Sequence, residues 1–120
     1  MQTILIVDDV QTDRELIGRV VTNAGHRPAY AGDGDEAIAK AIELKPALIF
    51  LDVVMPGMNG FHACRKLKNS AETSKIPVVL VTSKGGESDK FWGQKQGADD
   101  HVPKPFSPDT LQSIIKRYVR

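Results

Sequence analysis

The 120-residue chain has a single cysteine, Cys64, so no internal disulfide can form and the fold must rest on a packed core. A lone thiol also fits a reducing compartment. No apolar run approaches the roughly 20 residues that span a bilayer, and the first residues lack the basic and apolar pattern of a secretory signal. Charge of either sign is not in excess: 16 basic residues face 15 acidic ones, for a net charge of +1. That excludes a protein that holds nucleic acid or an anionic membrane through bulk electrostatics. Repeats, low-complexity tracts and linkers are missing as well. The length suits one domain, spanning residues 1–120, with its own core.

What the chain does have is a set of short apolar runs that end in chemistry. Leu48-Ile49-Phe50-Leu51 stops at Asp52, and Val53-Val54-Met55-Pro56-Gly57-Met58-Asn59-Gly60 follows with turn-forming residues. Such a run reads as a strand buried on both faces. Asp52 is then at its carboxyl end, where open α/β sheets place their ligands. Ile4-Leu5-Ile6-Val7 ends likewise in Asp8-Asp9, and Val78-Val79-Leu80-Val81 ends in Thr82-Ser83. Val102-Pro103-Lys104-Pro105 brings a lysine to the same rim. If these strands are parallel neighbours, three carboxylates meet, and two charges about 4 Å apart repel by ~4 kcal/mol at an effective dielectric near 20. Such a group either holds protons or recruits cations. Oxygen ligands of this kind suit a hard divalent ion such as Mg²⁺. Acids, a hydroxyl and a lysine beyond successive strands make a site for phosphoryl chemistry.

Between the strands lie helical patterns. Leu16, Ile17, Val20, Val21 and Ala24 form one face, with Gly25 as the stop. Ala37, Ile38, Ala41 and Ile42 form a second, ended by Lys45-Pro46. Gly60 opens a third, with Phe61, Cys64 and Leu67 inward. A fourth, over roughly 87–96, has little apolar surface beyond Phe91 and Trp92. Ser107 and Pro108 start the fifth as N-cap and first-turn proline, with Leu111, Ile114, Ile115, Tyr118 and Val119 inward. Strands alternating with helices predict a doubly wound α/β fold with a parallel sheet and right-handed crossovers. The wholly apolar first, third and fourth strands belong in the middle. The second, His26 to Ala31 with Pro28, and the short fifth, Asp99 to Pro103, belong at the edges. Order 2-1-3-4-5 satisfies this and puts the reversal point between Asp8-Asp9 and Asp52. Flavodoxin and CheY share that order and switch point.

Taken together, Asp8-Asp9, Asp52 with Met55-Pro56-Gly57 and Gly60, Thr82, and Lys104-Pro105 resemble the receiver domain of bacterial response regulators, over essentially the full chain. Among receivers it looks most like the stand-alone ones. The stretches Val53 to Phe61 and Ser88 to Ala98 are similar to PilH-type regulators of twitching motility and type IV pili. The resemblance implies five helices around the five-stranded sheet and a phosphorelay role. Asp52 is then the nucleophile that takes a phosphoryl group from a histidine kinase. Asp9 is a direct Mg²⁺ ligand, Asp8 acts mainly through water, Asp52 shares the ion and Val54 lends a carbonyl. Lys104 reaches Asp52 and then the phosphoryl group, with a cis peptide before Pro105. Thr82 binds the new phosphoryl group and carries the switch. His101 occupies the coupled switch position, which usually holds Tyr or Phe. Val54 and Lys84, two residues beyond Asp52 and Thr82, are the variable neighbours that bear on phosphoryl lifetime. Phe91 and Trp92 cannot both point inward, so Phe91 is expected buried and Trp92 exposed as a candidate docking residue. His26 and His62 read as ordinary exposed side chains.

The implied protein is a cytoplasmic monomer that signals by protein contact, with no nucleic-acid or membrane partner, or a phosphate sink on a shared kinase. Three other readings compete. A flavodoxin-like FMN carrier needs a hydroxyl-rich phosphate loop, whereas Asp8-Asp9-Val10-Gln11-Thr12 repels phosphate without a metal. An aspartyl phosphatase carries a second acid two residues after the nucleophile, where this chain has Val54. A scaffold that is never phosphorylated would not need the full set of Asp8, Asp9, Asp52, Thr82 and Lys104.

Overall fold

The structure, a computed structural model, describes residues 1–55, 57–82 and 94–119. Its five strands are β1 (Thr3–Val7), β2 (Arg27–Ala31), β3 (Leu48–Asp52), β4 (Val78–Thr82) and β5 (Asp100–Pro103). The described helices are α1 (Gln11–Asn23), α2 (Gly34–Leu44), α3 (Gly60–Asn69) and α4 (Pro108–Tyr118). The last is the helix the sequence placed fifth. The helix expected over roughly 87–96 falls mostly outside the described residues, as do Lys84, Phe91 and Trp92. Four of the five expected helices are therefore described.

All strand pairs are parallel and the order is β2-β1-β3-β4-β5, as expected from the apolar and polar runs. β1, β3 and β4 are buried along almost their whole length because helices cover both faces. Alternation splits their side chains between two cores. Ile4, Ile6, Phe50, Val79 and Val81 face α1 and α4, meeting Ile17, Val21, Leu111 and Ile115. Leu5, Val7, Ile49, Leu51 and Leu80 face α2 and α3, meeting Ala37, Ala41, Cys64 and Leu67. Pro28 sits opposite Ile4 on edge strand β2, where its missing N–H breaks no central ladder.

Side-chain caps explain three of the four described helix starts, and Val10 begins α1 without one. Asp33 accepts from Glu36 N–H at 2.8 Å, Asn59 from His62 N–H at 2.9 Å and Ser107 from Thr110 N–H at 3.2 Å. Lys45 closes α2 in the left-handed region at φ 47°, and Gly25 turns the chain after α1 at φ 87°.

Two helical faces differ from the expected stripes. On α1, Leu16 and Ala24 are exposed and Gly18 is buried beneath Tyr30 instead. On α2, Ile42 is exposed. Both stripes are narrower than drawn, because each helix contacts the sheet along one line. His26 is half-buried rather than exposed, its Nδ1 accepting from Gln2 N–H at 3.2 Å, while His62 is exposed as expected.

β5 is fastened at its beginning. Asp99 accepts from Val78 N–H at 2.8 Å and pairs with Lys68 at 2.7 Å. Asp100 takes Arg117 of α4 at 2.6 Å and the Tyr118 hydroxyl at 3.2 Å.

Candidate functional site

The carboxyl ends of β1, β3, β4 and β5 converge, as the topology requires at a switch point. Asp8, Asp9 and Asp52 each offer a carboxylate oxygen, and these oxygens lie within 4.8 Å of one another. Asp8 and Asp52 are 1% and 5% exposed, whereas Asp9 is open to solvent. At such separations each pair of like charges costs about 3 kcal/mol at an effective dielectric near 20. Removal from water, then the charge of Asp8, raises the Asp52 carboxyl from 3.8 to about 6, with Asp9 adding and Lys104 opposing.

Asp8 and the turn after Asp52 are held by backbone hydrogen bonds. Asp8 accepts from Val10 N–H at 2.9 Å, and its own carbonyl accepts from Arg14 Nη1 at 2.7 Å. The turn after Asp52 is closed by Gly60 N–H donating to Val53 carbonyl at 2.8 Å. A Cβ on Gly60 would lie 2.1 Å from the Asp52 carbonyl oxygen and 2.7 Å from Val53 Cα, so only glycine lets α3 start against the end of β3.

Lys104 Nζ reaches this cluster across the sheet. It lies 3.0 Å from Asp8 Oδ2, 2.9 Å from Asp13 Oδ2 and 3.6 Å from Asp52 Oδ1. Burial alone would lower the ammonium's pKa, but hydrogen bonds to Asp13 and Asp8, and the charge of Asp52, outweigh it and raise it. The Lys104–Pro105 peptide is cis, and Lys104 N–H donates to the Thr82 carbonyl at 2.7 Å. Thr82 itself is buried at the end of β4. Val54 exposes its side chain at the rim. His101 is half-buried on β5, opposite Leu80, and donates its backbone N–H to its neighbour Asp100 at 2.9 Å.

The structure thus brings together Asp8, Asp9, Asp52, Thr82 and Lys104. His101 lies apart from them, three residues before Lys104 on β5, and Trp92 falls outside the described residues. Two participants were not singled out from sequence: Asp13, which pairs with Lys104, and Arg14, which braces the Asp8 backbone. An acid in the first turn of the helix after Asp8-Asp9 was the available signal for Asp13.

Residues 4–116 match the family described as the response regulator receiver domain. The chain belongs to that family. This receiver is 44% identical to Protein PilH of Pseudomonas aeruginosa, over 96% of its own length and 95% of PilH. It is also 40% identical to the phosphate regulon transcriptional regulatory protein PhoB of the same species. That match takes in 99% of the receiver and 52% of PhoB, so the chain spans about half of that regulator. Among solved structures, chemotaxis protein CheY4 of Vibrio cholerae superposes with a TM-score of 0.93 at 31% identity, covering 99% of each chain. The receiver domain of a sensor histidine kinase from Pseudomonas aeruginosa, with a magnesium ion in its active-site cleft, superposes at 0.90 with 26% identity. That comparison covers 98% of this receiver and 96% of the other. These likenesses fix the CheY-like fold and two-component class, leaving the FMN carrier without support.

The donor set fits a hard divalent cation. It is made of oxygen alone, it is over-supplied with negative charge, and Asp9 keeps one side open to water.

Proposed function

We propose that this receiver accepts a phosphoryl group from the phosphohistidine of a histidine kinase onto Asp52 and signals by protein contact. The observation that carries the reading is the meeting of Asp8, Asp9 and Asp52 within 4.8 Å beside the Lys104 ammonium. Asp8, Asp9, Asp52 and the Val54 carbonyl would hold Mg²⁺. The ion would supply charge neutralisation and orientation for the phosphoryl oxygens. An Asp52 carboxylate oxygen attacks phosphorus in line, the phosphorus–nitrogen bond to the donor imidazole breaks, and an acyl phosphate results. Lys104 turns to a phosphoryl oxygen. Thr82 donates its hydroxyl to another, and His101 answers as the coupled residue on β5. The chain makes its own aspartyl phosphate without turning over a metabolite, so it is a regulator.

No described helix is long and apolar enough to cross a membrane. Likeness to PilH supports a place in type IV pilus, twitching or taxis control, with a kinase upstream and a protein target downstream. Incubation with acetyl phosphate and Mg²⁺ followed by intact mass analysis tests the chemistry. Wild type is expected to gain one phosphoryl group, with none on Asp52→Asn and none when the cation is chelated. Unmodified wild type, or an equally modified Asp52→Asn, would overturn the assignment.

A further inference from the structure

We propose that Asp13 is a positioning residue that detains the Lys104 ammonium away from Asp52, so that capture of a phosphoryl group must first draw the lysine off Asp13. This rests on the phosphoacceptor reading of Asp52. Lys104 Nζ hydrogen-bonds Asp13 and Asp8, at 2.9 and 3.0 Å, and stands farther from the phosphoacceptor, at 3.6 Å. The two acids differ in what else they can bind. Asp8 belongs to the group that can hold a cation, and Asp13 does not. A bound cation therefore competes for Asp8 while leaving the hold of Asp13 intact.

Asp13 is well placed for this. It occupies the first turn of α1, where the helix dipole favours an acid, and its side chain is about one-third exposed. Its partner arrives from the far end of the chain, beyond β5. A charge-assisted hydrogen bond of this kind is about twice as strong as a neutral one. Its surrender therefore opposes the phosphoryl-bound state. Asp13 also adds a negative charge beside the place where the phosphoryl dianion settles. Both effects have the same sign.

The test is titration of the full chain with beryllofluoride, a phosphoryl mimic, at saturating Mg²⁺. Asp13→Asn keeps the shape of the side chain and removes its charge. Affinity is expected to rise roughly five- to tenfold, where tenfold corresponds to about 1.4 kcal/mol. Asp13→Ser is expected to move in the same direction, so the result does not hang on one variant. Asp13→Glu, which restores the charge, is expected to return affinity toward wild type. Glu15→Gln removes an exposed acid from the same helix, one that pairs with Gln11 at 3.1 Å, and is expected to leave affinity unchanged. Unchanged or weaker binding in Asp13→Asn and Asp13→Ser would overturn the proposal. So would an equal gain in Glu15→Gln, which would mean that general charge and not the lysine contact is at work. Wild type that fails to bind the mimic at all would instead overturn the phosphoacceptor reading itself.

Discussion

Asp52 is expected to lower the stability of the folded, cation-free protein, and removing its charge should make the protein harder to unfold. Burial and the neighbouring carboxylate of Asp8 raise its pKa from 3.8 to about 6. For an acid, a raised folded-state pKa means that the native chain binds more protons than the unfolded chain between those two values. Stability therefore falls as pH rises through that window and stays low above it. The difference is roughly two pKa units, or about 3 kcal/mol at 1.36 kcal/mol per unit. Asp52→Asn should thus be more stable than wild type by about 2–3 kcal/mol at pH 7.5 with chelator present. For a chain of this length that is a rise in midpoint temperature of about 6–12 °C. The gain should shrink to about 0.5 kcal/mol near pH 4, where the wild-type carboxyl is protonated in the folded state, and vanish only below both values. Added Mg²⁺ should stabilise wild type by linkage and narrow the gap at pH 7.5. Thermal unfolding of both proteins at the two pH values, with and without Mg²⁺, reads all of this. A destabilised Asp52→Asn at pH 7.5 in chelator, or an equal gain at both pH values, would refute the crowding argument.

Two glycines should respond differently to alanine. Gly60→Ala drives a Cβ into the Asp52 carbonyl and Val53 Cα, which are backbone and cannot move aside, and should cost about 2–3 kcal/mol in urea unfolding. Gly18→Ala meets only the Tyr30 side chain, which lies at the surface and can swing away, so its change should stay within about 1 kcal/mol of zero. A separate expectation concerns the lifetime of the acyl phosphate. Val54 is exposed beside the site and offers no side-chain hydrogen bond to an attacking water, so the phosphorylated, Mg²⁺-loaded protein should not be exceptionally short-lived. Loss of label with a half-time of seconds in the isolated protein would contradict this.

Strands were legible in this sequence because their signal is local. Each central strand is an unbroken apolar run with a polar residue at its end, and β3, β4 and β5 were each placed within one residue at either bound. Pro28 marked β2 as an edge for a reason internal to β2. The rim residues Asp8, Asp9, Asp52, Thr82 and Lys104 followed from topology, since parallel strands must align their carboxyl ends. Helix faces were less legible. Leu16 and Ala24 keep the right period yet lie outside the contact line that Ile17, Val20 and Val21 make with the sheet. A period gives a stripe but not its width. Asp13 was missed because its partner Lys104 lies 91 residues away, and an acid in the first turn of α1 marks a candidate without naming a lysine beyond β5 as its partner. His26 escaped for a similar reason, since its ring answers to Gln2 on a different segment.

β5 carries its ties unevenly along its length. Lys68, Arg117, Tyr118 and the Val78 amide grip the two aspartates at its foot, and Lys104 hangs from its head among the acids. Side chains from two other elements therefore hold the foot of β5, while its head is held by the ladder to β4 and by the one lysine among the acids. A pull on the lysine is thus expected to load the head of the strand before the foot, and His101 stands next to the anchored aspartate at that foot.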